Sequence, residues 1–284
     1  MHHLKIFIEL TRLNKPIGFM LLFWPCSWGL TLAYIDDQNF NIFLYYMLLF
    51  FLGSVFMRSA GCIFNDIVDK DLDKKVFRTK SRPISSGKIS VKQSLIYVIL
   101  LCLISFFILI QFNFKTIYLG LGSMLLAFSY PFMKRITYWP QLFLGLTFNW
   151  GMIMAYTAIL DLISIQIILL YISAIFWTLG YDTIYGLQDI ADDEIIGIKS
   201  TAIRFKNNIK IFVGICYSIT FLIILYIFKN NLGINLSTIL IMMFLFSLVY
   251  QLKIFNEKNH ANCLKAFKIN NFSGALIFLS IFFI

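Results

Sequence analysis

Residues 65–87 read NDIVDKDLDKKVFRTKSRPISSG and form the most polar stretch of a very apolar chain. The stretch carries four aspartates followed by five cations: Asp66, Asp69, Asp71 and Asp73, then Lys74, Lys75, Arg78, Lys80 and Arg82. It is flanked on both sides by apolar runs of about 20 residues, the length at which a helix crosses the hydrocarbon of a bilayer. The flanking runs predict membrane-spanning helices, and the polar block between them predicts a function at the membrane surface.

The composition of the whole chain supports a membrane protein. The 284 residues are 60% hydrophobic, 18% aromatic and 13% charged, with a mean hydropathy of +0.81, whereas a soluble domain is about one quarter charged. The apolar runs are continuous, while the strands of a membrane β-barrel would alternate apolar and polar residues. We therefore predict an all-α membrane protein with a single domain over residues 1–284.

Nine membrane spans are predicted from the apolar runs. They cover residues 16–35, 41–64, 91–112, 115–133, 139–160, 164–181, 211–228, 236–253 and 269–284. Residues 1–15 place apolar against basic side chains, which predicts a short amphipathic approach to the membrane. The five cysteines include no CxxC pair and the three histidines have no metal-ligand spacing, so neither a disulfide framework nor a zinc site is predicted.

The basic residues orient the predicted spans. Of the 24 lysines and arginines, 22 lie at the N-terminus or near the loops after the even-numbered spans, and only Lys115 and Lys229 lie on the other side. Because cytoplasmic loops carry an excess of Lys and Arg, the N-terminus and residues 65–87 are predicted to be cytoplasmic. The net charge of +10 is concentrated in loops between spans, which suits anionic lipid and an anionic substrate better than a nucleic acid.

A second polar block, residues 181–201, follows the sixth span on the same predicted cytoplasmic side and reads YDTIYGLQDIADDEIIGIKST. At about 100° per residue of helix, each block places three carboxylates on one face: Asp66, Asp69 and Asp73 in the first, and Asp182, Asp189 and Asp193 in the second. Asp71 and Glu194 fall outside these faces and are predicted to face solvent. Carboxylates at this spacing repel one another, so each stripe requires a compensating charge.

Two explanations of these carboxylate stripes stay open. Either block is compatible with a solvated loop at the membrane surface, in which neighbouring lysines and arginines balance the aspartates. Two such blocks on the same side favour Mg²⁺, which takes carboxylate, water and phosphate oxygens, and the adjoining cations indicate a phosphorylated ligand. Neither block matches an EF-hand loop, and Walker-type GxxxxGK[ST] and GxGxxG sequences are absent, so calcium and nucleotides are not favoured.

Arg58 lies inside the second predicted span, about two turns before the first block. An arginine in a span is costly and usually faces a bundle interior or a cavity, although a structural salt bridge would also explain it. Lys134 and Arg135 follow the fourth span, where they either contact a substrate or anchor the span by the positive-inside rule.

The motifs resemble those of the UbiA superfamily of intramembrane aromatic prenyltransferases. Residues 65–73 fit its NDxxDxxxD motif, and residues 189–193 fit its second motif, DxxxD. Segments along nearly the whole chain are similar, in the family's order, to the branch that prenylates 4-hydroxybenzoate in ubiquinone biosynthesis: RLNKPIGFMLLFWPCSWGL (12–30), RSAGCIFNDIVD (58–69), RTKSRPISSG (78–87), YPFMKRITYWPQ (130–141), YDTIYGLQD (181–189), GIKSTAI (197–203) and KAFKINNFSG (265–274).

The resemblance implies a bundle of nine transmembrane helices around a central cavity, capped on the cytoplasmic side and open laterally to lipid, in a bacterial inner membrane. It implies Mg²⁺ ions that bind the diphosphate of a polyprenyl diphosphate and are held by Asn65, Asp69, Asp73, Asp189 and Asp193. Asp66 and Asp182 are then expected beside the aromatic substrate, 4-hydroxybenzoate, to orient its phenol or to take its ring proton. Arg58 is expected to shape the aromatic pocket. The diphosphate or the substrate carboxylate is expected to contact the remaining cations: Arg78, Arg82, Lys134, Arg135 and Lys199.

Two other functions stay open. A close relative with the same machinery would act on another aromatic acceptor. A membrane transporter would place ionisable residues near the middle of the bilayer and often shows broken helices and internal repeats, whereas both carboxylate stripes stand at the ends of predicted spans.

Overall fold

The computed structural model describes residues 2–257 and 259–284. Over these ranges the chain is helical, and its β pairing is limited to an isolated bridge between Asn256 and Asn259. Lys258, which contributes to the predicted charge distribution, lies outside the described residues. The α-helices, in chain order, are α1 (His2–Thr11), α2 (Ile17–Asp37), α3 (Phe40–Val68), α4 (Lys70–Asp73), α5 (Val91–Leu109), α6 (Phe114–Ile136), α7 (Pro140–Leu160), α8 (Ile165–Gly186), α9 (Ile190–Ile196), α10 (Thr201–Arg204), α11 (Ile209–Ile227), α12 (Leu236–Ile254) and α13 (His260–Phe282).

Among the described helices, eight are long and apolar enough to cross a membrane: α2, α3, α5, α6, α7, α8, α11 and α12. They confirm the first eight predicted spans. Helix α13 corresponds to the ninth, but it begins at His260 instead of residue 269, and Lys265, Lys268 and Asn270 interrupt its apolar sequence. The chain is thus a multi-pass membrane protein, and the count of nine spans does not follow from length and hydropathy alone.

Polar residues mark where several of the long helices begin. Asn39, Asn113, Ser164 and Asn235 each accept a hydrogen bond from the main-chain nitrogen three residues later, at the starts of α3, α6, α8 and α12. Ser90 opens α5 with a reciprocal pair of bonds to Gln93. These caps satisfy main-chain donors that the first turn of a helix leaves free, so the short polar linkers fix where each span enters the bundle.

The long helices pack side by side in a ring around a buried aromatic core. Helix α2 packs on α7, α7 on α8, α8 on α11, and α13 bridges α12 back to α2, while α3 joins α2 and carries α5. Trp28 of α2 and Trp177 of α8 meet at the centre with ring centroids 5.1 Å apart. Gly29 allows α2 and α7 to pack closely against each other, because a Cβ atom there would overlap the main-chain oxygen of Met152 in α7.

A buried polar network ties α13 into the bundle. Asn270 accepts a hydrogen bond from the Trp177 indole at 2.8 Å and donates one to Gln251 at 2.9 Å. Gln251 also accepts a bond from the Tyr217 hydroxyl at 2.7 Å and donates to the Ser273 hydroxyl at 3.2 Å. The network joins α8, α11, α12 and α13, and it explains why the last helix is polar in its first half although it packs inside the bundle.

The predicted amphipathic approach is helix α1, which lies across α3 and α5. Ile6 and Leu10 are buried against a cluster that includes Ala60 and Val98. Helix α1 ends at Thr11, and Arg12 follows with a φ of 56°, in the left-handed region. This turn sends the chain from the surface helix into α2.

Helices α3, α6 and α8 finish at the same end of the bundle, which we call the aspartate end because both aspartate-rich blocks lie there. Arg135 in the last turn of α6 donates to the Val68 carbonyl at the end of α3 at 2.7 Å. The Phe77 amide of the first block donates to Asp192 of the second at 3.0 Å. The helical projection of the two blocks is only partly right, because neither block is one continuous helix. In the first, α3 stops at Val68, α4 covers Lys70–Asp73, and the residues beyond form irregular turns; in the second, α8 stops at Gly186 and α9 covers Ile190–Ile196.

Candidate active site

A cavity of about 810 Å³ runs from the aspartate end into the bundle. Its walls come from α2, α3, α5, α6, α7 and α8. Near the aspartate end the walls carry polar side chains, namely Arg12, Arg58, Asn65, Arg78, Arg82 and Asp182, and the deeper walls are almost entirely apolar. A ligand with an anionic head and a long apolar tail matches this division.

The carboxylates of the first block are buried and paired with cations. The Asp66 side chain is 2% exposed and contacts Arg12 at 2.5 Å and Arg82 at 3.0 Å. Arg82 also contacts Asp73 at 2.7 Å. Asp69, whose side chain is 1% exposed, pairs with Lys134 and lies 3.4 Å from Arg135. Since an unpaired charge is costly to bury, these cations stabilise the aspartates in the folded protein.

The second block is joined to the first through Arg78. Its guanidinium binds both carboxylate oxygens of Asp189, with the Nε–Oδ1 bond at 2.7 Å, and lies 5.7 Å above the ring of Tyr185. This bidentate geometry is the strongest form of an arginine–carboxylate pair. The two blocks therefore form one layer of alternating charges across the mouth of the cavity.

Two carboxyl groups of this layer have raised pKa values. Burial raises the pKa of Asp193 to about 6, and the nearby charge of Asp189 adds to the shift. Burial also raises the pKa of Asp73, although the neighbouring Arg82 partly opposes it. Both shifts follow mainly from the removal of these carboxyl groups from water, because burial disfavours the charged form of an acid.

The metal that the resemblance implies is Mg²⁺. Within the described ranges, no three His, Cys, Asp or Glu side chains stand close enough together to hold one ion. Asp66, Asp69 and Asp189 pair with arginine or lysine instead. The available donors are carboxylate oxygens and the Asn65 amide, which are the hard oxygen ligands that Mg²⁺ prefers. These residues are therefore chemically suitable ligands for Mg²⁺. To bind it, the aspartates would have to release their present arginine and lysine partners.

At the inner edge of this polar region, buried polar groups do not satisfy all their hydrogen bonds. The Arg58 guanidinium lies 5.2 Å from the centre of the Phe148 ring, and Asp182 and Tyr181 line the same region. Among the described residues, neither the buried Arg58 Nε nor the Tyr181 hydroxyl has a hydrogen-bond partner. Gly18 leaves room for this arginine, since a Cβ atom there would lie 3.1 Å from its Nε. Unsatisfied buried donors of this kind indicate a polar ligand.

The structure brings most of the predicted residues together, in two layers. Arg58, Asn65, Arg78, Arg82 and Asp182 line the cavity itself. The ion-pair layer above it contains Asp66, Asp69, Asp73 and Asp189 with their partners Lys134 and Arg135, and Asp193 follows one helical turn after Asp189.

Lys199 does not reach the cavity. Its side chain donates to the Ile136 carbonyl at 3.1 Å and its main-chain nitrogen donates to the Lys134 carbonyl at 2.8 Å, so it covers the end of α6. Asp71 and Glu194 face outward as predicted, because the Asp71 side chain is 87% exposed beside Lys74 and Glu194 pairs with Lys206 at the surface.

Arg12, Tyr130, Tyr181 and Tyr185 line the cavity but were not among the predicted site residues. Arg12 was assigned to the amphipathic approach, and its contact with Asp66 depends on the reversal of the chain after α1. Tyr181 and Tyr185 lie on either side of Asp182 in the sequence and are four residues apart. Residues at this spacing share one face of a helix, so the sequence could have indicated that both tyrosines line the same site as Asp182.

The fold and the site define a class of protein: a helical membrane protein whose charged mouth opens into an apolar chamber within the bilayer. The sequence profile described as the UbiA prenyltransferase family matches residues 22–275. The chain belongs to this family, as the motifs predicted.

Known proteins resemble the chain in both sequence and structure. A 4-hydroxybenzoate octaprenyltransferase of Aliivibrio fischeri (strain MJ11) is 41% identical over 280 residues, which cover 98% of this chain and 95% of that protein. The apo structure of a UbiA homolog from Aeropyrum pernix K1 superposes with a TM-score of 0.75 at 21% identity, covering 93% of this chain and 97% of that one. A UbiA homolog from Archaeoglobus fulgidus bound to DMAPP and Mg²⁺ gives a TM-score of 0.70 at 18% identity, with coverages of 97% and 98%.

Proposed function

We propose that this protein transfers a polyprenyl group from polyprenyl diphosphate to 4-hydroxybenzoate and releases diphosphate, a Mg²⁺-dependent membrane step of ubiquinone biosynthesis. The observation that carries the proposal is the cavity, in which a mouth of arginines and aspartates leads past Arg58 and Asp182 into an apolar chamber. The name of the Aliivibrio fischeri relative supports both substrates.

Mg²⁺ is proposed to be held by Asn65, Asp69, Asp73, Asp189 and Asp193. Bound there with the diphosphate, it would neutralise negative charge and make the diphosphate a better leaving group. The Archaeoglobus fulgidus homolog is described as bound to DMAPP and Mg²⁺, which supports a divalent ion in this fold. The present partners of the aspartates, chiefly Arg78 and Lys134, would then turn to the diphosphate oxygens.

The cations of the mouth are proposed to divide their roles. Arg78 and Arg82 line the cavity, which supports a direct contact of both with the diphosphate. Lys134 and Arg135 reach the same layer from the end of α6 through Asp69. Lys199 is proposed instead to position this segment, which is supported by the hydrogen bond that its main-chain nitrogen donates to the Lys134 carbonyl.

The bond changes of the proposed reaction suit the interior of the cavity. The carbon–oxygen bond of the allylic diphosphate breaks, and the electron pair leaves with the diphosphate. The ring carbon ortho to the phenol hydroxyl forms the new carbon–carbon bond, and its proton passes to a base, for which Asp182 or Asp66 is proposed. Aromatic faces near the cavity, such as Phe148 and Tyr185, would stabilise the allylic cation. Exclusion of water by the apolar walls would prevent its capture.

Arg58 is proposed to bind the aromatic acceptor. Its Nε is buried without a protein partner among the described residues, and its guanidinium lies over the ring of Phe148. A guanidinium in this position pairs well with the carboxylate of a hydroxybenzoate, while Asp182 on the facing helix would orient the phenol.

The membrane arrangement is also a proposal. We place the aspartate end and the N-terminus in the cytoplasm and the chain in the bacterial inner membrane with nine spans, since α13 packs on α2 and α12 as a full member of the bundle. Cysteines introduced at the exposed positions Lys80 and Lys229 test the orientation. In intact cells an impermeant thiol reagent should label Lys229→Cys and not Lys80→Cys, and the opposite pattern would refute it.

Substitution of the proposed metal ligands tests the function. Membranes containing the protein should prenylate 4-hydroxybenzoate in the presence of Mg²⁺, and Asp69→Ala and Asp189→Ala should each reduce turnover by at least about a hundredfold, since charge neutralisation at a leaving group supplies several kcal/mol. Asp71→Ala is the matched control, because this aspartate belongs to the same block but faces solvent. Full turnover in both of the first two variants would overturn the metal assignment.

Another acceptor and a transport function are the alternatives. An assay that offers 4-hydroxybenzoate beside homogentisate, with several prenyl chain lengths, identifies the acceptor by its product. Transport is disfavoured because the paired aspartates stand at the ends of α3 and α8. Release of diphosphate by isolated membranes separates the two classes, since a transporter would leave the polyprenyl diphosphate intact.

A further inference from the structure

Gly18 lies in the first turn of α2, and the side chain of Arg58 packs against it. A Cβ atom built at residue 18 would lie 3.1 Å from the Nε atom, 3.6 Å from Nη2 and 3.8 Å from Cζ of Arg58. The guanidinium therefore occupies the space beside the Gly18 main chain that a larger residue would fill. Because the shortest of these distances is below that of an ordinary van der Waals contact, a side chain at residue 18 would displace either the guanidinium or the main chain of α2.

The main chain of α2 is firmly held at this position. Pro16 restricts the backbone directly before the helix, and the Gly18 nitrogen donates to the Lys15 carbonyl at 3.3 Å. Leu21, about one turn later, is 1% exposed within the hydrophobic core. The Arg58 side chain, by contrast, is long and borders the open space of the cavity. A larger residue at position 18 would therefore move the guanidinium and leave α2 in place.

Arg58 has no anionic partner within the described parts of the chain. It takes part in none of the ion pairs formed there, and its Nε is buried without a hydrogen-bond partner. Its guanidinium instead lies 5.2 Å from the centre of the Phe148 ring on α7. Since a cation inside a membrane span is costly unless an anion pairs with it, this position indicates an anionic ligand that fits one guanidinium, such as a carboxylate.

We propose that Gly18 determines the specificity of the protein for a carboxylated aromatic acceptor. Because residue 18 has no side chain, the guanidinium of Arg58 lies against α2, where it is positioned to bind the carboxylate. The inference rests on the proposed function, in which Arg58 binds the acceptor, and it adds the residue that sets the place of this arginine. Gly18 acts through Arg58 and is therefore a positioning residue.

A graded series of substitutions at residue 18 tests the inference. We expect Gly18→Ala to raise the KM for 4-hydroxybenzoate about threefold and Gly18→Val about twentyfold, because a larger side chain moves the guanidinium further from the carboxylate and weakens a charge-assisted hydrogen bond. The KM for the polyprenyl diphosphate should change less than about twofold. Gly122→Val is the matched control and should change neither KM, since Gly122 of α6 does not line the cavity and a Cβ there would meet no described atom within 4 Å.

A double-mutant cycle separates an effect through Arg58 from a general structural effect. In the Arg58→Gln background, Gly18→Val should raise the KM for 4-hydroxybenzoate less than about twofold further, because no guanidinium remains to be displaced. The melting temperature of Gly18→Ala should be unchanged or slightly raised, since alanine is a better helix former than glycine. An effect of Gly18→Val that is equally large with and without Arg58, or a clear fall in the melting temperature of Gly18→Ala, would overturn the inference.

Binding measurements keep the inference separate from the proposed function. The analogue 4-hydroxybenzamide has nearly the shape of 4-hydroxybenzoate but carries no charge. In calorimetric titrations the unaltered protein should bind the benzoate more tightly than the amide, and Gly18→Val should reduce this preference about tenfold. Equal binding of both compounds by the unaltered protein, or an unchanged preference in Gly18→Val, would overturn the role of Gly18. Absence of prenyl transfer by the unaltered protein would overturn the proposed function, and the ratio of the two dissociation constants would then test Gly18 by itself.

Discussion

Asp66 contacts two arginines that come from different parts of the chain, one before α2 and one in the turns after α4. Its inward orientation could be predicted, because helical spacing alone places it beside Asp69 on one face. Its partnership with Arg12 could not, since that contact spans 54 residues and requires α1 to fold back across α3. The helical periodicity of the sequence thus identified the carboxylates, whereas the tertiary structure determines which arginines and lysines form ion pairs with them.

Tyr181 offers a test of the inner pocket at the scale of a single oxygen atom. Its hydroxyl is buried, lines the cavity and has no hydrogen-bond partner among the described residues. We expect Tyr181→Phe to raise the KM for 4-hydroxybenzoate about fivefold, the effect of losing one hydrogen bond worth about 1 kcal/mol. Steady-state kinetics with the acceptor varied and the prenyl diphosphate saturating will measure this change.

The same substitution should leave the stability of the protein unchanged or slightly increased, because it removes a buried polar group that no protein atom satisfies. A marked fall in the melting temperature would mean that the hydroxyl has a structural partner, and an unchanged KM would mean that it does not contact the acceptor.

At the scale of the element, α13 departs most from its prediction. The apolar run beginning at residue 269 was recognised, but the helix starts at His260, because its first turns carry lysines and asparagines that a search for apolar residues excludes. Within the bundle those polar positions are useful, since Asn270 meets partners on α8 and α12. Such partners lie on other helices, so nothing in the local sequence indicates that these residues are buried.

The polar network around Asn270 is expected to stabilise the bundle. Asn270→Leu would leave the Trp177 indole without its acceptor and remove one donor to Gln251, so we expect a loss of about 1 to 3 kcal/mol of stability. Thermal unfolding of the protein in detergent micelles will show this as a lower melting temperature. Asn271→Leu is the matched control, because the neighbouring Asn271 makes a single, exposed bond to Trp24. Equal melting temperatures for the two variants would argue against the network.

At the scale of the whole molecule, the charge layer at the aspartate end joins segments that are far apart in sequence. Arg78 and Asp189 are separated by 111 residues, and Lys134 and Asp69 by 65. The sequence predicted that both blocks share one side of the membrane, because the distribution of basic residues depends only on the order of the spans. The shared Mg²⁺ site that the resemblance implied requires the two blocks to lie close together, but the direct pairing of Arg78 with Asp189 depends on how α3, α6 and α8 pack and was not predicted.

Removal of the metal should inactivate the protein without unfolding it. The buried aspartates of the site already have arginine or lysine partners, so the folded state does not require Mg²⁺ for charge balance. We expect treatment with EDTA to abolish prenyl transfer, to change the melting temperature by less than about 4 °C, and to be reversed by added Mg²⁺. Unfolding on chelation would contradict this expectation, since it would make the metal part of the folded structure.

The apolar walls of the cavity have a kinetic consequence, because they suit a substrate whose tail keeps it in the membrane. The polyprenyl diphosphate and the prenylated product both carry that apolar tail, so they diffuse within the plane of the membrane and do not pass through water. The encounter rate is then set by the number of prenyl diphosphate molecules per lipid molecule. Diluting the protein and its substrate with additional detergent or lipid, at a constant bulk concentration of both, should slow turnover in proportion to the fall in surface density.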